Sequence, residues 1–200
     1  MQRVVRAGRG ATPALCVVAL LACAGCVASR ATTLRQYQDA KTAATITVGA
    51  QMLVFARERP ERAVHARDYL SLVPLDINRA GTHRLLVLIY DWLTVEPAPG
   101  AGSEPAERYS LVADGREIDL EPDGSSPRDA GLSSEPVEPP AHHAKAAYVP
   151  MTREELAYLV AAGELRAVRT VSGERISYEL WRDDRATIET FLAQVPASTE

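Results

Sequence analysis

The sequence predicts an α+β fold, a mainly antiparallel β-sheet or sandwich with two C-terminal helices flanking a hairpin. Three observations carry that prediction. Strand-length pieces that alternate in period two, or are apolar on both faces, dominate the chain from Thr45 to Leu120. The dipeptides Asp114-Gly115 and Ser172-Gly173 each sit between alternating runs, which is the composition of a tight hairpin turn. Helical patterning enters after residue 150, where helices flank strands. At 200 residues, 46% hydrophobic and 24% charged, the chain has room for one domain with a proper core.

Taken in order, residues 26–43 are polar and weakly patterned and read as a tether, with a helical turn near Leu34 to Tyr37; the domain is expected over residues 44–196. From Thr45 one strand places Ile46, Val48, Ala50, Met52 and Val54 on one face. Leu70, Leu72 and Leu75 predict a short strand stopped by Pro74, and "NRAG" (residues 78–81) a turn. His83 to Val95 is apolar on both faces, with Leu85, Val87, Ile89 and Leu93 opposite Leu86, Leu88, Tyr90 and Trp92, so it is expected at the centre of the core. Flexible loops are predicted near residues 96–107 and 122–143, which carry little to bury. Tyr109, Leu111, Ile118 and Leu120 flank the first hairpin turn.

After residue 150, Thr152 and Glu155 have the spacing of a capping box, in which each side chain satisfies the other's free backbone donor. Leu156, Leu159 and Val160 form the apolar stripe of that helix, and Gly163 reads as its end. A hairpin around Ser172-Gly173 follows, with Leu165, Ala167 or Val168, Ile176, Tyr178 and Leu180 inward. A last helix carries Ile188, Phe191, Leu192 and Val195, capped by Asp183 or Asp184 and ended by Pro196.

All three cysteines fall within residues 16–26, in and at the end of a short apolar run that follows a basic n-region over residues 1–10. That run is shorter than the roughly 20 apolar residues a membrane span needs. Ala24, Gly25 and Cys26 close it and resemble the lipobox of bacterial lipoproteins, whose Cys is lipidated on sulfur before the signal peptidase cuts in front of it. The resemblance covers residues 1–27 only and implies a signal peptide over residues 1–25 and a lipid anchor, of the palmitate type, on Cys26. The family usually has Leu three positions before the Cys, where this chain has Cys23; taking Cys23 as the modified residue would restore Leu20 there but set Leu21 next to Ala22. A plain signal peptide cut near Ala28 or Ser29 is the other reading. Val27 follows the Cys, not the Asp that marks inner-membrane retention in the family, so the resemblance implies an outer-membrane protein facing the periplasm. Cleavage before Cys26 would leave one cysteine, and lipidation would protect it.

Catalytic constellations are missing from the sequence. It carries no Gly-x-Ser-x-Gly elbow, no phosphate-binding glycine loop and no His-Glu-x-x-His, and no cysteine follows Cys26. The formal net charge is −4 and no basic stripe follows residue 30, which argues against a nucleic-acid partner. His142-His143, with His65, His83 and Asp76 or Asp91, are the candidate metal ligands, but adjacent histidines in a Pro-rich loop are ordinarily just solvated. Ser125-Ser126 and Ser133-Ser134 read as linker. Trp92, Trp181, Tyr90 and Tyr178 could form an aromatic platform, although large aromatics on strands more often fill a core. Arg57, Arg59, Arg62 and Arg67 alternate with Glu58 and Glu61, as on a solvated loop that could also meet anionic headgroups.

The expectation is therefore a membrane-anchored envelope lipoprotein that is not an enzyme, has no catalytic, cofactor or metal site, and binds or scaffolds a protein of an envelope assembly or secretion system. A periplasmic hydrolase, or a small-ligand or metal-binding module, is the alternative.

Overall fold

The computed structural model describes residues 33–96 and 108–196. Residues 32–200 group into one unit. Its strands are β1 (Leu34–Gln38), β2 (Thr45–Gly49), β3 (Leu53–Glu58), β4 (Arg67–Arg79), β5 (Thr82–Leu93), β6 (Arg108–Ala113), β7 (Arg116–Leu120) and β8 (Lys145–Pro150). Helix α1 (Arg153–Ala161), β9 (Leu165–Val171), β10 (Glu174–Arg182) and helix α2 (Arg185–Gln194) complete the order. The fold is α+β, and every strand pairing is antiparallel.

Eight strands follow one another around a ring, in the order β3, β4, β5, β8, β7, β6, β9, β10 and back to β3. The link between β8 and β7 is made just past the end of β7. Tyr148 N–H donates to the Gly124 carbonyl (2.9 Å) and Asp123 N–H donates to the Tyr148 carbonyl (2.8 Å), so the two ends of the sheet meet. One apolar cluster takes side chains from all eight strands, among them Phe55, Leu72, Val87, Leu111, Ile118, Val149, Ala167 and Tyr178. A barrel interior filled by side chains is a core, not a channel.

Turn chemistry sets the hairpins. Ala80-Gly81, Asp114-Gly115 and Ser172-Gly173 all have positive φ, the backbone that two-residue turns between twisted strands require.

Two expectations about strands change. The predicted single strand from Thr45 is two, β2 and β3, with a corner at residues 50–52, and both pair with the same edge of β4. Side-chain parity is reset at the corner: Ile46 and Val48 bury outside the ring, whereas Leu53 and Phe55 enter it. Gly49 precedes the corner, where a Cβ would lie 2.9 Å from Pro74 Cδ and 3.0 Å from Thr187 Cγ2. Pro74 does not stop β4, which runs on to Arg79. It lies after the β3 pairing ends at Leu72 and before the β2 pairing begins at Leu75, where the ladder on that edge asks for no N–H.

The helices close one end of the ring. Thr152 caps α1 with both halves of the capping box present, and Leu156, Leu159, Ile188, Phe191 and Leu192 enter the barrel cluster. Asp184 occupies the N-cap of α2 without a side-chain bond to the helix backbone, its carboxylate pairing with Arg182 (2.7 Å); Asp183 Oδ1 instead accepts from Arg185 N–H (3.2 Å). Gly163 is not the end of α1, which finishes on Ala162, while Gly163 N–H donates to Asp114 Oδ2 (3.2 Å). Neither helix has a basic residue in its last turn, and each borrows one from the other. Arg153, at the start of α1, donates to the Val195 carbonyl (2.7 Å) and to that of Leu192, and Arg185, at the start of α2, donates to that of Ala162. Carbonyls that a helix end leaves unpaired are thereby satisfied across the pair.

The tether also changes. Residues 34–38 are a strand paired with β2, not a helical turn, so the domain begins before residue 44. Residues 122–143 likewise do not behave as a flexible loop. They lie over the outer face of β4, β5 and β8, bury Ala130 and Leu132, and cover a second apolar cluster containing Val73, Leu88 and Tyr148. Backbone carbonyls of the segment accept from Arg79 (Gly131, 2.5 Å), Arg84 (Ala130, 3.1 Å) and Arg35 (Pro136). Tyr148 OH donates to Glu135 (2.9 Å), and Tyr90 OH donates to the Val137 carbonyl (2.9 Å). The predicted loop near residues 96–107 falls, but for Glu96, outside the described residues.

Asp39 ties the β1–β2 turn to this cover. Its carboxylate accepts from the N–H groups of Ser133 (2.7 Å), Lys41 (3.0 Å) and Thr42 (3.1 Å). The Ser133 bond, followed by the other two, holds its pKa far below the usual carboxylate range. A lowered folded pKa gives stability that is present above the unfolded value and lost as pH falls through the folded one. Urea titrations of wild type and Asp39→Ala should therefore differ most near pH 7, and the gap should narrow as the pH drops below about 4.

Candidate functional site

The lumen end opposite the helices carries charge. Asp91 of β5 and Arg169 of β9 come from strands that are not neighbours in the ring, yet Arg169 NH1 lies 3.3 Å from Asp91 Oδ2. Both residues are 4% exposed, so the pair crosses a lumen closed to solvent. Tyr109 OH donates to the same Asp91 oxygen (3.2 Å), and Tyr178, also fully buried, lies beside Arg169. Burial pushes the Asp91 carboxyl up against the opposing pull of Arg169. Burial likewise raises both phenols, Tyr178 to about 12, so both remain neutral hydrogen-bonding groups. Buried Asp68, next along this end, is held by Arg59. The arrangement is a polar tie across the barrel.

The histidines separate into distant groups. His83 Nδ1 lies 2.9 Å from Asp76 Oδ2, and its Nε2 lies 3.2 Å from Asn78 Nδ2, so both ring nitrogens are engaged. Burial raises the Asp76 carboxyl, with the His83 contact opposing. His143 instead meets the far end of β5, where its Nε2 donates to the Leu93 carbonyl (2.9 Å). His83 and Leu93 are ten residues apart on one strand, about 33 Å at 3.3 Å per residue. His65 is exposed, at φ 66°, in the β3–β4 connection. The sequence-predicted ligand set of His65, His83 and His142-His143 with Asp76 or Asp91 is thus not brought together. What the sequence reading missed is Glu96, whose Oε1 lies 3.0 Å from His142 Nε2.

The serine pairs are structural: Ser126 Oγ donates to Asp129 (2.8 Å) and Ser133 N–H to Asp39. Comparison with protein-family models, with curated protein sequences and with solved structures gives no match. Among the described residues no helix is long and apolar enough to cross a membrane. Cys26, the predicted lipidation site, lies outside the described residues, as does Cys23.

The aromatics divide between core and surface. Tyr90 and Tyr178 are buried, as strand aromatics ordinarily are. Trp92 and Trp181 lie on the outer side of the ring. The Trp92 ring stacks on Tyr69 (centroids 4.2 Å apart, planes 14° from parallel), and its Nε1 donates to Ser71 Oγ (3.0 Å). Trp181 is 57% exposed at a register shift in the β10–β3 ladder, and the Arg67 guanidinium lies 4.3 Å from its ring centroid. Arg67 also pairs with Glu58 (3.1 Å), and Arg59 with Glu61, so these two arginines are internally neutralised. Val54, Ala56 and Tyr69 lie beneath this layer. Tryptophan and arginine on one sheet face are among the side chains that dominate protein-binding surfaces, because they combine large apolar area with directional polar contacts.

Proposed function

We propose that the protein is a lipoprotein of the bacterial cell envelope, anchored through Cys26 in the outer membrane and facing the periplasm. Its domain acts there without catalysis, as a binding or scaffolding accessory to an envelope assembly or secretion system. The single observation that carries the reading is the exposed Trp181 with Arg67 packed on its face, on the outside of a barrel whose interior is occupied by its own side chains. A hydrolase that used a serine would need a free base beside that serine. The half-buried His83 has Asp76 on one nitrogen and Asn78 on the other.

The early start of β1 supports an anchored arrangement with little slack. From Cys26 to Leu34 the chain has eight peptide steps, which reach about 28 Å at full extension. A three-chain anchor, with each buried methylene contributing about 0.8 kcal/mol, would be effectively permanent.

Placing a photo-reactive amino acid at position 181 tests the reading. In the living host, ultraviolet light should give one discrete adduct with an envelope protein, and Arg67→Glu should abolish it. The same probe at Arg116, at a hairpin turn, should give none. Equal labelling from both positions, or none from position 181, contradicts the proposal. Trp181→Ala alone should shift Tm by no more than a degree or two, because an exposed side chain contributes little to stability.

A further inference from the structure

We infer that Glu96, His142 and His143 form a binding site for a borderline divalent cation of the zinc(II) class. The three donor atoms lie within 4.8 Å of one another and come from two separate segments, the exit of β5 and the residues just before β8. The inference does not depend on the function proposed above.

The decisive residue is His143. Its Nε2 lies 2.9 Å from the Leu93 carbonyl, an atom that can only accept, so Nε2 carries the ring proton. In the neutral ring Nδ1 is then a bare lone pair. That atom is buried and has no hydrogen-bond partner among the described residues. A buried acceptor left unpaired is costly, and native structures rarely keep one without a reason. The pattern is also the one metal-bound histidines adopt: the distal N–H donates to a backbone carbonyl, which fixes the tautomer and ring orientation and aims the other nitrogen at the ion.

The other two donors complete a mixed N/O set. His142 Nε2 and Glu96 Oε1 are 3.0 Å apart, and the two imidazoles meet edge to face with centroids 5.0 Å apart. Ligand atoms about 2.0–2.1 Å from a tetrahedral zinc are separated by roughly 3.4 Å. The His142–Glu96 spacing is already close to that, and the farthest separation must contract by roughly 1.5 Å. Both side chains are exposed and can swing to do so. Two nitrogens and one carboxylate oxygen suit zinc better than calcium or magnesium, which prefer all-oxygen shells. Three protein donors leave the fourth tetrahedral place to water. A bound ion would clamp the end of β5 to the end of the cover.

Equilibrium dialysis of the metal-stripped full-length chain against zinc chloride tests the site, with calcium as the control. Expected are one zinc per chain, no competition from calcium, and at least a tenfold loss of affinity in each of His142→Ala, His143→Ala and Glu96→Gln. Cobalt(II) substitution should give the strong visible absorption of a tetrahedral N/O site, lost in the same variants. Zinc should raise the Tm of wild type but not of His142→Ala, whose exposed side chain leaves folding in chelator unchanged. Zinc binding that survives all three substitutions, or no binding at millimolar zinc, overturns the inference.

Discussion

Replacing Asp91 by alanine is expected to cost about 3–5 kcal/mol, because it leaves the Arg169 guanidinium buried and without its counter-ion. That is a large share of the roughly 5–15 kcal/mol that holds a domain of this size together. Asp91→Asn should cost less, since an amide oxygen still accepts from Tyr109. Replacing both partners, Asp91→Leu with Arg169→Met, should recover most of the loss, as removing a whole buried pair spares its desolvation. Guanidinium titrations of the two single variants and the double variant measure this as a double-mutant cycle. The pair also has a pH signature. Burial raises the folded pKa of Asp91 above the unfolded value of about 3.9. Its contribution to stability is therefore greatest at or below that value and declines as pH rises through the folded pKa. This is the opposite slope to that of Asp39, and comparing Asp91→Asn with Asp39→Ala across the acid range should separate them.

Phe191→Ala is expected to cost about 3–5 kcal/mol, as deletion of a fully buried aromatic ring does when neighbours cannot collapse into the space. Phe191 enters the barrel cluster from α2. The arginine exchange between α1 and α2 should hinder the helices from closing on the cavity. Thermal and denaturant unfolding of this variant beside Leu192→Ala, whose side chain is 9% exposed, should show the larger loss at Phe191. Equal small losses would mean that the helices are not an integral part of the barrel core.

Much of the fold is legible in the sequence, for local reasons. The two faces of β5, the hairpins at Asp114-Gly115 and Ser172-Gly173, and the Thr152–Glu155 box are each decided by residues within a few positions of one another. What was misread depends on distant partners. Pro74 ends a strand by local rules, but here it falls in a gap between two neighbours that join the same edge of β4. Residues 122–143 have the composition of a loop, yet they are held by arginines up to about a hundred positions away, of which Arg35 is the farthest. The same holds for the sites. Asp91 and Arg169 are far apart in the chain and meet only because the sheet closes, and no period or motif joins them. Glu96 is the first residue of a predicted loop, so its approach to His142 leaves no trace beyond the histidine pair itself.

The most direct test of the proposed role is the intact mass of the mature protein extracted from the membranes of its own host. The expected result is a chain of residues 26–200 bearing three acyl chains, all of them on the first residue, and a Cys26→Ser variant that is neither processed nor retained in the membrane fraction. An unmodified chain that starts beyond Cys26, near Ala28 or Ser29, and is released from the membranes by salt would contradict it.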